Sequence, residues 1–90
     1  MTYRIEEVRA LSVGTTAQEV DVRCQSFLIE NNSDAATVYF REKDVDGADC
    51  TSANGFALSP GERIDAALCA GTLSLIASDD DTDVRLLIVG

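Results

Sequence analysis

Ser52-Ala-Asn-Gly55-Phe-Ala-Leu58-Ser-Pro60-Gly61-Glu62 is the stretch that decides how this chain folds. Phe56 and Leu58 alternate with Ala57 and Ser59, as on a strand with one face against a core. Ser59-Pro-Gly61 follows, with Pro second and Gly third in a four-residue turn. A type II turn asks for that order, because its third residue takes a positive φ. Ile64, Ala66 and Leu68 then resume the period of two. The phrase reads strand, tight turn, strand, and the same grammar runs from Ala17 to Gly90.

Working outward, Val20 and Val22 alternate with Asp21 and Arg23, and Phe27 and Ile29 share a face up to the turn signal Asn31-Asn-Ser-Asp34. Val38 and Phe40 point one way, Tyr39 and Arg41 the other. An acidic loop, Glu42 to Asp49, precedes the opening phrase. After it, Leu73, Leu75 and Ala77 lead to Asp79-Asp-Asp-Thr-Asp83, whose side chains suit a hairpin turn because they bond their own backbone. Thr2 to Val13 carries β-formers at Tyr3, Ile5, Val8 and Val13, and the alternation breaks at Glu6-Glu7. That gives a strand with a bulge, or an arm reaching a neighbour. A helix is the alternative there, since Glu6, Glu7, Arg9, Ala10 and Leu11 form helices well. Seven or eight short strands at spacings of roughly 8–12 residues define an all-β fold, a small antiparallel β-sandwich of jelly-roll type. Residues 1–13 are its N-terminal arm or strand and residues 14–90 the sandwich. No helix-length segments separate the strands, which excludes a parallel α/β sheet.

One segment departs from the pattern. Leu86, Leu87, Ile88 and Val89 are apolar on both faces. The outer face of a two-layer sandwich is normally wet, so such a strand is expected to be covered. These four residues are the predicted subunit interface of a homo-oligomer, with the N-terminal arm as the alternative cover.

The chain has 90 residues, enough for one domain, and buries only about 60–65% of its unfolded surface, a marginal core. No apolar run reaches the roughly 20 residues that span a bilayer as a helix. The start lacks the apolar stretch of a signal peptide, so folding in the cytoplasm is expected. Seven basic residues against 16 acidic ones give a net charge of −9. Arg4, Arg9, Arg23, Arg41, Lys43, Arg63 and Arg85 are scattered among acids, so no cationic face for nucleic acid is expected. The acidity reads as solubility.

Three cysteines, Cys24, Cys50 and Cys69, cannot all pair within one chain, and a reducing compartment keeps them as thiols. Cys24 and Cys69 read as core residues; Cys50, in the acidic loop, reads as exposed. There is no histidine and no Cys-x-x-Cys, which argues against structural zinc and removes the usual base of a catalytic triad. Asp44-Val-Asp46-Gly47-Ala-Asp49 alternates oxygen ligands as a calcium loop does, yet the EF-hand positions for Gly and Glu hold Asp49 and Gly55. Asp79–Asp83 is a second acidic turn open to the same divalent-ion reading, with a solvated loop as the alternative for both. No phosphate-cradling Gly motif is present. The expectation is no enzyme and no cofactor. Tyr3 and Tyr39 leave a carbohydrate-binding role open, since sugar faces stack on rings.

Several phrases in order carry a family resemblance: Val13-Gly-Thr-Thr-Ala17; Phe27-Leu-Ile-Glu-Asn31-Asn-Ser-Asp34 with Val38-Tyr-Phe40; Asn54-Gly-Phe-Ala-Leu58-Ser-Pro-Gly-Glu62; and Ile76-Ala-Ser78 before Thr82-Asp-Val-Arg85. Over Val13 to Gly90 the chain resembles small accessory virion proteins of tailed bacteriophages. The resemblance implies a β-sandwich that assembles symmetrically on the particle, as a capsid decoration (cement) protein. A neck, head-spike or tail-fibre attachment module is the alternative. It implies the virion as location, the major capsid protein or other virion proteins as partners, and no membrane. A trimer is the expected oligomer, because threefold capsid sites select for it. Tyr3, Ile5, Val8 and Leu11 are the expected capsid contacts. The acidic insert Glu42–Cys50 is longer than the family leads one to expect, as a contact loop particular to one particle would be.

Overall fold

The computed structural model describes residues 5–22, 26–43, 47–67 and 71–89. They form eight strands: β1 (Ile5–Val13), β2 (Gln18–Asp21), β3 (Ser26–Asn31), β4 (Val38–Glu42), β5 (Phe56–Leu58), β6 (Arg63–Ala67), β7 (Thr72–Ala77) and β8 (Thr82–Val89). The first segment is a strand, not a helix. β8 offers it a full-length partner, and pairing along Ile5–Val13 overrides the helix propensity of Glu6–Leu11. The ladder shifts register between Ile5 and Glu7, the bulge that the broken alternation implied.

The strands form two antiparallel four-stranded sheets, A in the order β1-β8-β3-β6 and B in the order β2-β7-β4-β5. Four pairings generate this arrangement: β4 with β5, β3 with β6, β2 with β7, and β1 with β8. They are the rungs of one long hairpin closed at the β4–β5 connection. Rolling that hairpin brings β3 beside β8 and β4 beside β7, which completes both sheets. The architecture is a jelly roll.

Only the β4–β5 connection joins neighbours in one sheet; every other connection crosses between layers. The Ser59–Glu62 turn therefore makes a corner between sheet B and sheet A. Its chemistry is as read from the sequence: Glu62 N–H donates to the Ser59 carbonyl at 3.0 Å, and Gly61 has φ +80°. The Asp79–Asp83 turn is likewise a corner from β7 to β8 and not the expected hairpin. Turn residues specify a reversal of direction but not which sheet receives the next strand.

Alternation places the core between the layers. From sheet A come Phe27, Ile29, Val84, Leu86 and Ile88; from sheet B come Val38, Phe40, Leu73, Leu75 and Ala77. Phe27 meets Phe40 across the gap edge to face, with centroids 6.4 Å apart and planes at 82°. Phe56, on the edge strand β5, stacks tilted on Phe40 at 5.7 Å and keeps its outer side exposed.

Candidate functional site

Because side chains alternate across a strand, the apolar run in β8 is divided between two environments. Val84, Leu86 and Ile88 point into the core and are almost completely buried. Arg85 and Leu87 point outward. On this outer face of sheet A the register aligns Val8 of β1, Leu87 of β8 and Leu28 of β3 in one row across three strands. Leu87 and Leu28 are half-buried, whereas Val8, on the outermost strand, is 65% exposed. A charged row lies alongside: Ala10, Arg85, Glu30 and Arg63 are successive partners. Arg85 holds Asp83 through two hydrogen bonds at 2.9 and 3.0 Å, and Asn32 adds a third at 2.8 Å. These donors keep the Asp83 carboxyl below the usual carboxylate range.

The expected interface residues thus divide. Leu86 and Ile88 are consumed by the chain's own core and are not available to a second subunit, which corrects the four-residue interface. Leu87 remains on the outer face. Val89 is the partner of both Ile5 and Ser26 in the ladder. Among the expected capsid contacts, Leu11 packs against the core and is withdrawn for the same reason, since it pairs with core-facing Val84. Val8 is outward and exposed. Tyr3 lies outside the described residues, as do Cys24, Cys69 and Asp44–Asp46. Leu28 was missed, although Phe27-Leu28-Ile29 is apolar on both faces in the same way as Leu86–Val89.

The outer face of sheet B is covered differently. The connection after β4 folds back over it, and Cys50 N–H donates to the Ser74 hydroxyl at 2.9 Å. Cys50 is 1% exposed, contrary to expectation, and Ser74 beneath it is fully buried. A loop of acidic sequence is on average exposed, but the described end of this one docks through Cys50. Burial pushes the Cys50 thiol up, partly offset by the nearby Arg41 charge. Lys43 ties the loop to β2 by bridging Asp49 at 2.9 Å and Glu19 at 3.0 Å. Beside the loop, Tyr39, Ile76, Thr51, Ser52 and Ser78 line an open depression of about 360 Å³.

The acidic turn between β7 and β8 spends its carboxylates locally. Asp80 accepts from the Thr15 N–H and hydroxyl at 3.3 and 3.2 Å, Asp81 from the Ser12 hydroxyl at 3.4 Å, and Asp79 from the Asp80 N–H at 2.9 Å. No group of three or more His, Cys, Asp or Glu among the described residues is placed to hold a metal ion. No protein-family model matches the chain, and no curated protein or solved structure matches it either.

Proposed function

We propose that this protein is a structural component of a tailed-phage particle, a decoration or cement subunit that binds the head surface as a homo-oligomer. The observation that carries the reading is the outward row Val8–Leu87–Leu28 on a jelly roll. A solitary module gains from such a row only the modest packing of its cross-strand pairs, whereas a module that docks on a shell also buries the exposed side. The resemblance in sequence to accessory virion proteins supports the same role, and a trimer is the form that threefold sites on a shell would select. A cement subunit acts by adding buried interface across neighbouring capsomers, so the role is structural and needs no reactive group.

The test is co-sedimentation of the purified protein with phage heads that lack it. Saturable binding that also raises the temperature at which the heads rupture is the expected result. Heads that take up none of it, at protein concentrations well above those in an infected cell, would remove the reading.

A second reading rests on the depression beside Tyr39, where one aromatic wall and three hydroxyl-bearing residues converge. That is the composition of a shallow sugar site, as in an adhesion module. A glycan array separates the two: specific glycan capture that Tyr39→Ala abolishes would favour adhesion over cementing.

A further inference from the structure

Asn54-Gly55 ends the loop that covers the outer face of sheet B, and Asn54 is exposed. Asn followed by Gly is the pair most open to loss of the side-chain amide, because Gly puts no Cβ in the way of the attacking backbone nitrogen. The fold calls for both residues. A Cβ on Gly55 would lie 2.5 Å from Cys50 Sγ, 2.9 Å from Tyr39 Cβ and 3.0 Å from the Thr51 carbonyl. The Asn54 carboxamide accepts from the Thr51 N–H at 2.7 Å and donates to the Asp49 carbonyl at 3.1 Å, so Asp in its place would lack the donor. Packing and hydrogen bonding together put the vulnerable pair here.

We propose that Asn54 is a self-modification site, that docking of the loop over residues 49–55 gates its reaction, and that the product keeps the loop from docking again. In the reaction Gly55 N gives up its proton and bonds to Asn54 Cγ. The Cγ–Nδ2 bond breaks, and Nδ2 leaves as ammonia with that proton. Water then opens the succinimide ring. Opening at Cγ gives Asp; opening at the main-chain carbonyl gives isoaspartate, with the backbone running through Cβ and Cγ.

In the docked loop both reacting groups are engaged elsewhere. Gly55 N–H donates to the Thr51 carbonyl at 3.0 Å, which holds the proton that must leave. The carboxamide is fixed through both its oxygen and its nitrogen, which keeps its carbon from turning onto Gly55 N. Ring closure therefore waits for the loop to leave sheet B. Two contacts outside the reacting pair oppose that departure: Cys50 N–H to the Ser74 hydroxyl and Lys43 to Asp49, each at 2.9 Å. Opening of one loop takes less free energy than unfolding of the whole domain, so it is visited from the native state.

The products do not fit the closed form. Asp sets a carboxylate oxygen against the Asp49 carbonyl, acceptor against acceptor. Isoaspartate adds a carbon to the main chain immediately before Gly55, which is packed too closely to admit even a Cβ. Cys50 then loses its cover, and the change runs one way because ammonia is lost.

Peptide mapping by mass spectrometry follows Asn54 in the full chain at mildly alkaline pH. The folded chain should convert at least about tenfold more slowly than the same chain in guanidinium chloride. Lys43→Ala, a surface change, should raise the folded rate about threefold and Ser74→Ala about tenfold, each in a chain with a native circular dichroism spectrum. Chain modified in denaturant, refolded and separated by its added negative charge should have Cys50 alkylated about tenfold faster than unmodified chain. Asn54→Asp, made directly, should move Cys50 the same way without any refolding step. Equal conversion in folded and denatured chain, folded variants that convert at the wild-type rate, or modified chain with Cys50 as protected as before would each overturn the proposal.

Discussion

Asn31 donates from its side-chain amide to the Leu58 carbonyl at 2.9 Å, from a position with no solvent exposure. The same nitrogen donates to the Ala36 carbonyl at 2.8 Å, and its amide oxygen accepts from the Ser33 N–H and hydroxyl at 3.1 and 2.6 Å. Its backbone adds Asn31 N–H to the Glu62 carbonyl and Gly61 N–H to the Asn31 carbonyl, both at 2.9 Å. One residue therefore fastens the end of β3 to the corner between β5 and β6 and shapes the approach to β4. A buried amide whose donors and acceptor are all matched specifies a single arrangement.

Asn31→Ala removes these side-chain partners: the Leu58 carbonyl loses its amide donor, while the Ala36 carbonyl keeps the Ser33 hydroxyl at 3.1 Å. Such a loss costs about 1–3 kcal/mol, and the variant should lose about that much. In a domain whose total stability is about 5–10 kcal/mol, that is a substantial fraction. The urea midpoint measures it; a shift equivalent to less than about 1 kcal/mol would show the network to be dispensable.

A Cβ on Gly55 would lie 2.5 Å from Cys50 Sγ and 2.9 Å from Tyr39 Cβ. Both neighbours are held in place, one by the docked loop and one by β4. Gly55→Ala should therefore cost about 1–3 kcal/mol through overpacking. In a Cys50→Ala background the closest clash is gone, and the cost should fall by a measurable part of that. Thermal unfolding of the four chains in the cycle decides it, and strict additivity would contradict this packing.

Cys50 is both shielded and held protonated by its surroundings. The thiolate is the reactive form, so alkylation at neutral pH should be slow in the native state and fast in denaturant. Mass spectrometry of pulse-labelled peptides reads the site directly. Labelling of Cys50 at the rate of an unfolded peptide would mean that the loop does not stay docked on Ser74.

Asp83 carries a native pKa below its unfolded value, so its contribution to stability follows the sign for a depressed carboxyl. It is fully present above the unfolded pKa, near 3.9, and is lost as pH falls through the lower native value. An NMR titration should give a midpoint for Asp83 below that reference, and Arg85→Ala together with Asn32→Ala should return it there. A wild-type midpoint at or above the reference would mean that the Arg85 fork does not persist in solution.

The period of two made the strands legible, because each buries one face and the sequence records it at Phe27 and Ile29, Val38 and Phe40, or Leu73, Leu75 and Ala77. The Ser59–Glu62 turn was legible for a similar reason, since only Gly at position 61 suits the backbone that the turn demands. Pairing was not legible. Nothing local in β1 says that its partner is β8, at the far end of the chain; that follows from rolling the whole hairpin. The burial of Cys50 was equally hidden, because it depends on Ser74, 24 residues away. The apolar row on sheet A was half visible: Leu87 stood out within a run of four, while Leu28 and Val8 joined it only once the register was known.

Leu86 and Leu87 are adjacent in sequence and opposite in environment, so truncating each should separate the two faces of β8. Leu86→Ala opens a cavity between the sheets and should cost about 2–5 kcal/mol. Leu87→Ala removes atoms from the half-buried outer row, and the folded chain should lose less than about 1 kcal/mol. Head binding should show the reverse order: Leu87→Ala weakened at temperatures where both variants are folded, Leu86→Ala close to wild type. Unfolding curves and co-sedimentation on the same two proteins measure both. If Leu87→Ala binds heads as tightly as wild type, the outer row of sheet A is not the surface that meets the shell.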